Sequence, residues 1–167
     1  AIDFGPEAEV RVLRPETANS YELGVKTQLL GGALDLDASI FNMDFRNGLT
    51  YADDGTGNFV RANGGATRFR GFEIESRYAL TPALNLYAHF AQHDARFVSF
   101  TRDNGADASG NRFEMSPRQQ AGFGVVYAPA TGFNGSVIAG YTGSRFLNKS
   151  NSVAVGGYTN VDATLGY

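Results

Sequence analysis

The chain has 167 residues and a net charge of −3, from 14 Lys+Arg against 17 Asp+Glu, and it contains no cysteine. This excludes nucleic-acid binding driven by bulk positive charge, and it excludes disulfides and thiolate metal centres. Glycine (21 residues) and aromatics (13%) are abundant while charged residues make up only 19%, below the usual ~25%, which points to strands and turns rather than a helical bundle.

Residues 1–6 lack the basic stretch and apolar core of a secretory signal. No segment approaches the ~18 consecutive apolar residues of a spanning helix, so the membrane architecture open to this chain is a β-barrel. Residues 9–13 read as a candidate short strand. From residue 21 a period of two sets in. Tyr21, Leu23, Val25, Thr27 and Leu29 alternate with Glu22, Gly24, Lys26 and Gln28. After Gly31-Gly32, Leu34, Leu36, Ala38 and Ile40 alternate with Asp35, Asp37 and Ser39. Phe72, Ile74, Tyr78 and Leu80 oppose Gly71, Glu73, Glu75 and Arg77. Leu84, Leu86, Ala88 and Phe90 oppose Asn85, Tyr87, His89 and Ala91, and Ala121, Phe123, Val125 and Tyr127 oppose Gln120, Gly122 and Gly124. Residues 133–146 form a less regular strand, and Val161, Ala163, Leu165 and Tyr167 oppose Asn160, Asp162, Thr164 and Gly166. The pattern predicts about seven strands and no helix.

Short links, at Gly31-Gly32, Thr81-Pro82 and residues 129–132, alternate with long polar ones over 46–68, 99–117 and 147–157. A sheet with short turns at one end and long loops at the other matches an outer-membrane barrel. Soluble lipocalin-type barrels also alternate faces, so periodicity alone leaves both open. Aromatics near strand ends, among them Tyr21, Tyr78, Phe97, Tyr127, Phe133 and Tyr167, suit interfacial girdles.

No residue pattern supports catalysis: there is no G-x-S-x-G elbow and no phosphate-binding glycine loop. Glu73 and Glu75 lie beside Arg77 about 7 Å apart along a strand, a spacing shared by acid/base pairs and by any strand lining a wet lumen. His89 and His93 are roughly 13 Å apart on a strand, too far to share a metal ion, and both read as lumen-lining. Residues 53–58 and 103–107 lack the ligand order of a calcium loop. Arginines beside the long links, with Tyr51, Phe59 and Phe100, suit charge-assisted and stacking recognition of an anionic aromatic ligand. The candidate ligand-binding residues are therefore Tyr51, Arg61, Arg68, Glu73, Glu75, His89, His93 and Arg96, with no catalytic residue and no metal site.

Leu13-Arg14-Pro15-Glu16 followed by Tyr21-Glu22-Leu23-Gly24-Val25-Lys26 resembles the L-K/R-P-E … Y-E-x-G-x-K segment of TonB-dependent outer-membrane receptors. Ala62-Asn63-Gly64-Gly65 and then Arg70-Gly71-Phe72-Glu73-Ile74-Glu75 resemble their N-x-G … R/K-G-x-E-x-E strand entry. Ser116-Pro117-Arg118 and Tyr158-Thr159-Asn160-Val161-Asp162-Ala163 fit the same family, so the resemblance runs from about Leu13 to the end.

The resemblance implies an all-β fold: an antiparallel transmembrane barrel segment of about seven to eight strands, part of a wall of about 22. It implies that residues 1–167 are a C-terminal barrel region, with the plug domain and final strands absent. An independent small barrel, soluble or structural, is the alternative, and pairing of residues 9–13 would supply an eighth strand for closure. The implied function is active uptake of a ferric siderophore or a similar scarce nutrient across the Gram-negative outer membrane, without covalent chemistry. The implied partners are the TonB–ExbB–ExbD complex, acting through a plug, together with outer-membrane lipid and lipopolysaccharide and the ligand itself. No cofactor is implied; any iron travels on the ligand. In that setting Glu22, Lys26, Asp35, Asp37, Glu73, Glu75, Arg77, His89 and His93 face the lumen and the apolar faces meet lipid.

Overall fold

The computed structural model describes residues 2–4 and 10–167. Two short strands, β1 (Ile2–Phe4) and β2 (Val10–Val12), pair with each other. The main body is one seven-stranded antiparallel sheet: β3 (Thr17–Leu29), β4 (Leu34–Asp53), β5 (Phe59–Thr81), β6 (Leu84–Ser99), β7 (Gln119–Tyr127), β8 (Asn134–Thr142) and β11 (Tyr158–Gly166). Between the last two, β9 (Arg145–Phe146) and β10 (Ala154–Val155) make a small hairpin. Each strand of the sheet neighbours its predecessor in sequence, and β3 and β11 are the two edges. The sheet is open. Residues 9–13 supply no eighth strand to it: Val10–Val12 pairs with β1, and Glu9 lies outside the described residues.

Alternation in the sequence becomes rows across the sheet. Val25, Ala38, Ile74, Phe90, Ala121 and Tyr141 are successive cross-strand partners on one face. One residue along, Lys26, Asp37, Glu75, His89, Gly122, Gly140 and Asn160 form the matching row on the other. Because side chains alternate strictly, this register leaves Phe41, Tyr87, Val126 and Ile138 on the polar side but gathers most of the large apolar residues of the band on the opposite one. Leu23 is 71% exposed there and Ile40 58%. The total accessible surface of 10879 Å² exceeds the roughly 8,000 Å² of a compact 17.9 kDa monomer, as expected of a single layer with no partner on its apolar face.

The short links are true turns. Leu30–Gly32 forms a 3₁₀ turn in which Gly31 and Gly32 take positive φ (67° and 91°), a conformation glycine adopts without steric cost. Thr81 Oγ1 accepts hydrogen bonds from the Ala83 and Leu84 amides and fixes the turn at Pro82. The long polar stretch 46–68 is corrected by the structure. β4 and β5 run on through it, with register shifts at Phe45–Leu49, and only residues 54–58 connect them. β5 has 23 residues against the ~9–11 of a bilayer crossing, so β4 to β6 project well beyond the apolar band at the long-link end.

Candidate ligand-facing surface

The polar face has two zones. Towards the short turns it is charged. Lys26 Nζ lies 2.7 Å from Asp37, Arg77 lies 3.2 Å from Glu75, and His93 Nε2 donates to Glu73 at 2.9 Å. Glu22, His89 and Gln120 complete a groove of about 480 Å³, and Asp35 continues it on the strand side of Lys26. The lumen-facing set expected from alternation thus shares one surface. His89 spreads over Gly122, which has no side chain to block the ring, and Phe41 meets His93 edge-on at 5.5 Å over Gly71. Each carboxylate of the Glu73–Glu75 pair has a cationic or imidazole partner.

Towards the long links the same face becomes aromatic. Phe45 packs on Phe69 at 5.6 Å, Phe69 on Phe113 at 5.2 Å, and Phe97 on Phe113 and Phe100 at 4.6 Å each. Such ring pairs contribute about 0.5–1.5 kcal/mol each beyond area burial. Phe97, only 2% exposed, is the pin of this vault, so it does not belong to an interfacial girdle. Phe133 and Tyr167, whose rings lie 4.9 Å apart at the short-turn end, do suit one.

The roof of the vault is the link 100–118, which folds back onto β6. The Gly110 amide bonds to Phe97 O, the Phe97 amide to Asn111 O, and the Phe113 amide to Ala95 O. Thr50 Oγ1 donates to Thr101 O and accepts from the Thr101 amide, tying the same link to β4. A second long link braces the first. The Arg112 amide donates to Asn151 Oδ1, Asn151 Nδ2 donates to Arg112 O, and Asn111 Nδ2 donates to Lys149 O. Lys149 also pairs with Glu114 at 2.6 Å and sits 5.8 Å from the Phe100 ring. Beside these residues opens a recess of about 370 Å³, walled by Glu16, Leu49, Thr67, Phe69 and Phe113. Partial burial, reinforced by Arg118 and Arg96, holds the Arg112 guanidinium below its ordinary pKa.

The candidate ligand-binding residues divide between the faces. Glu73, Glu75, His89 and His93 lie together in the charged zone. Tyr51 and Arg61 are cross-strand partners on the projecting arms of β4 and β5. Arg68 and Arg96 are not brought to these groups. They have the parity of Phe72 and Phe90, opposite to Phe69 and Phe97, and therefore stand on the apolar side. The aromatic vault escaped the sequence reading because residues 46–68 and 99–117 are rich in Gly, Asn and Asp and read as loops. A signal was present: Phe41, Phe45, Phe69 and Phe97 keep the parity of Asp37, Glu73 and His93.

An open antiparallel sheet with an apolar and a polar face, short turns at one end and folded links at the other, is a section of an outer-membrane β-barrel wall. Residues 4–167 match the family described as TonB dependent receptor-like, beta-barrel, and the chain belongs to that family. It is 29% identical over 172 residues to the ferrichrome outer membrane transporter/phage receptor of Escherichia coli K12, covering 98% of this chain and 22% of that protein. It is 30% identical over 169 residues to the catecholate siderophore receptor Fiu of the same strain, covering 98% and 21%. Among solved structures, the ferric yersiniabactin uptake receptor FyuA of Yersinia pestis superposes with a TM-score of 0.77 at 20% identity, over 99% of this chain and 25% of that one, a likeness of fold. The closed form of Fiu superposes at 0.74 with 25% identity, over 93% and 22%. The chain spans about a fifth of the length of the relatives it matches. Members of the family are receptors and transporters of the Gram-negative outer membrane, without a resident cofactor. In that setting the apolar face meets hydrocarbon and the polar face the lumen.

Proposed function

We propose that this chain is a section, towards the C-terminus, of the barrel of a TonB-dependent receptor that takes up a ferric siderophore. The observation that carries the reading is the continuous polar face, which leads from an aromatic vault under the long links to a charged groove near the short turns. An iron chelate is a bulky polar or anionic ligand with flat, often aromatic, chelating groups. Rings and cations near the outer opening suit its capture, and paired charges deeper in the lumen suit a wall against which a plug packs and slides. Tyr51 and Arg61 belong to the capture end; Glu73, Glu75, His89 and His93 belong to the lumen wall. TonB with ExbB–ExbD supplies energy through a plug carried elsewhere in the longer receptor. The names of the matched relatives support iron chelates as the cargo class.

The test is radioiron uptake in a receptor-deficient Gram-negative strain expressing the full receptor that contains this segment, supplied in turn with hydroxamate, catecholate and carboxylate siderophores. Uptake of one class, lost when TonB is deleted, is the expected result. If no iron complex enters in a TonB-dependent manner, the reading is rejected.

A further inference from the structure

Two stretches distant in sequence, Leu13-Arg14-Pro15-Glu16 and Ala62-Asn63-Gly64-Gly65, meet at the long-link end of the wall. The β3–β4 ladder begins at Thr17, opposite Arg46, and it does not extend through Pro15, which has no amide to donate. Side chains take over where the backbone pairing stops. The Arg14 amide donates to Asn63 Oδ1 at 2.6 Å, and Asn63 Nδ2 donates to Arg14 O at 3.0 Å. A carboxamide offers an acceptor and two donors, so Asn63 bonds Arg14 as a strand residue would and still donates to Asn47 O, 2.7 Å away. Asn47 takes positive φ (58°) in the irregularity at Phe45–Leu49. At the same irregularity the Leu49 amide donates to Glu16 Oε1 at 3.2 Å.

The strap 13–16 is also a wall. Glu16 stands with Gly48, Leu49, Gly65 and Thr67 beside Phe69 and Phe113 around the 370 Å³ recess. Gly48 and Gly65 contribute no side chain to it, which leaves Glu16, Leu49 and Thr67 to shape this part of the opening. Among the described residues, no backbone bond joins 13–16 to β4 or β5. The place of the wall therefore depends on two side chains, Asn63 reaching the strap from β5 and Glu16 reaching β4 from the strap.

We propose that Asn63 is a positioning residue of the capture site: its two bonds to Arg14 latch the strap so that Glu16 closes one side of the recess, and affinity for an iron chelate depends on that closure. Glu16 acts in this as the acceptor for the Leu49 amide rather than as a charge presented to the ligand. The inference rests on the reading above, in which the vault under the long links belongs to the end that captures the chelate.

The test uses the full receptor containing this segment. Without ligand, hydrogen–deuterium exchange of peptides covering 13–16 and 46–49 is expected to rise about 10-fold in Asn63→Ala. Radioiron uptake is measured with ferric hydroxamate, catecholate and carboxylate siderophores in turn. For the complex that the wild type imports, Asn63→Ala is expected to raise KM about 10-fold with Vmax unchanged. Glu16→Ala is expected to act the same way, whereas Glu16→Gln, whose amide oxygen still accepts from Leu49, is expected to stay within about 2-fold of wild type. Heat-modifiable electrophoretic mobility checks that each variant barrel has assembled. Unchanged exchange in Asn63→Ala overturns the latch, and raised exchange with unchanged KM overturns its role in capture. Glu16→Gln as damaging as Glu16→Ala overturns the proposal too, because the carboxylate's charge rather than its place would then matter. If the wild type imports no iron complex, the reading above fails, and exchange still decides whether the latch exists.

Discussion

Replacing Phe123 by arginine tests the assignment of faces on which the functional reading depends. Phe123 is 52% exposed and stands between Ala88 and Ala139, small cross-strand neighbours that leave its ring directed away from the sheet. On β7 the band runs from Ala121 to Tyr127, about 20 Å along the strand, and Phe123 lies near its middle. An arginine at the midplane costs about 2–4 kcal/mol, and losing the lipid contact of half a phenyl ring adds about 1, so Phe123→Arg is expected to destabilise the barrel by about 3–5 kcal/mol. The control is Glu75→Gln on the opposite face, where the ion pair with Arg77 joins side chains 57% and 64% exposed. Such a pair contributes about 0–1 kcal/mol. The assay is urea titration of the full receptor folded into phospholipid vesicles, with surface-exposed receptor counted in cells as a check on assembly. Shifts of equal size for the two substitutions would refute the assignment, because lumen and lipid would then be indistinguishable to the side chain.

Two further outcomes follow from local geometry. At Gly71 a β-carbon would meet the Gln92 carbonyl oxygen and come within 3.1 Å of the Phe41 and His93 rings. Gly71→Ala is therefore expected to cost about 1–3 kcal/mol in the same urea titration, whereas Gly124→Ala, whose nearest neighbour is Ile138 at 3.5 Å, should leave the midpoint almost unmoved. At the tip of the β4–β5 hairpin, the Thr56 hydroxyl, with the Thr56 and Asn58 amides, holds the Asp54 carboxyl below the usual carboxylate range. A depressed folded-state pKa gives stability that is present above ~3.9 and lost as pH falls through the folded value. Amide exchange at Thr56 and Asn58 is expected to stay protected at pH 5 and to lose protection only as pH falls below the ordinary carboxylate range; protection that fades between pH 7 and 5 would contradict this.

Much of the wall was legible residue by residue. Lys26, Asp37, Glu75 and His89 alternate with Val25, Ala38, Ile74 and Phe90 on their strands, and the structure joins each set into a row across the sheet. Position on a strand fixes the face once a strand is granted, so no tertiary information was needed. Residues 46–53 and 59–68 failed that first condition. Their glycines, asparagines and aspartates carry turn propensity, and they are strand because β4 and β5, already zipped together below, continue to pair past the irregularity at Phe45–Leu49. Arg68 was grouped with the ligand-facing residues for the same reason: with that stretch unrecognised as strand, its parity could not be read. Arg96 lies on the strand that carries His93 and has the opposite parity.

By itself, then, the sequence determined an all-β chain with one apolar face, one polar face and links of alternating length, because a period of two is a local property of the backbone. The tertiary structure decided where the long links go. Backbone bonds from 100–118 to β6, and the Asn151 clamp between the two links, depend on pairs up to 39 residues apart that no local pattern encodes. That folding-back turns Phe97 and Phe113 from apparent strand-end and loop aromatics into the core of a vault.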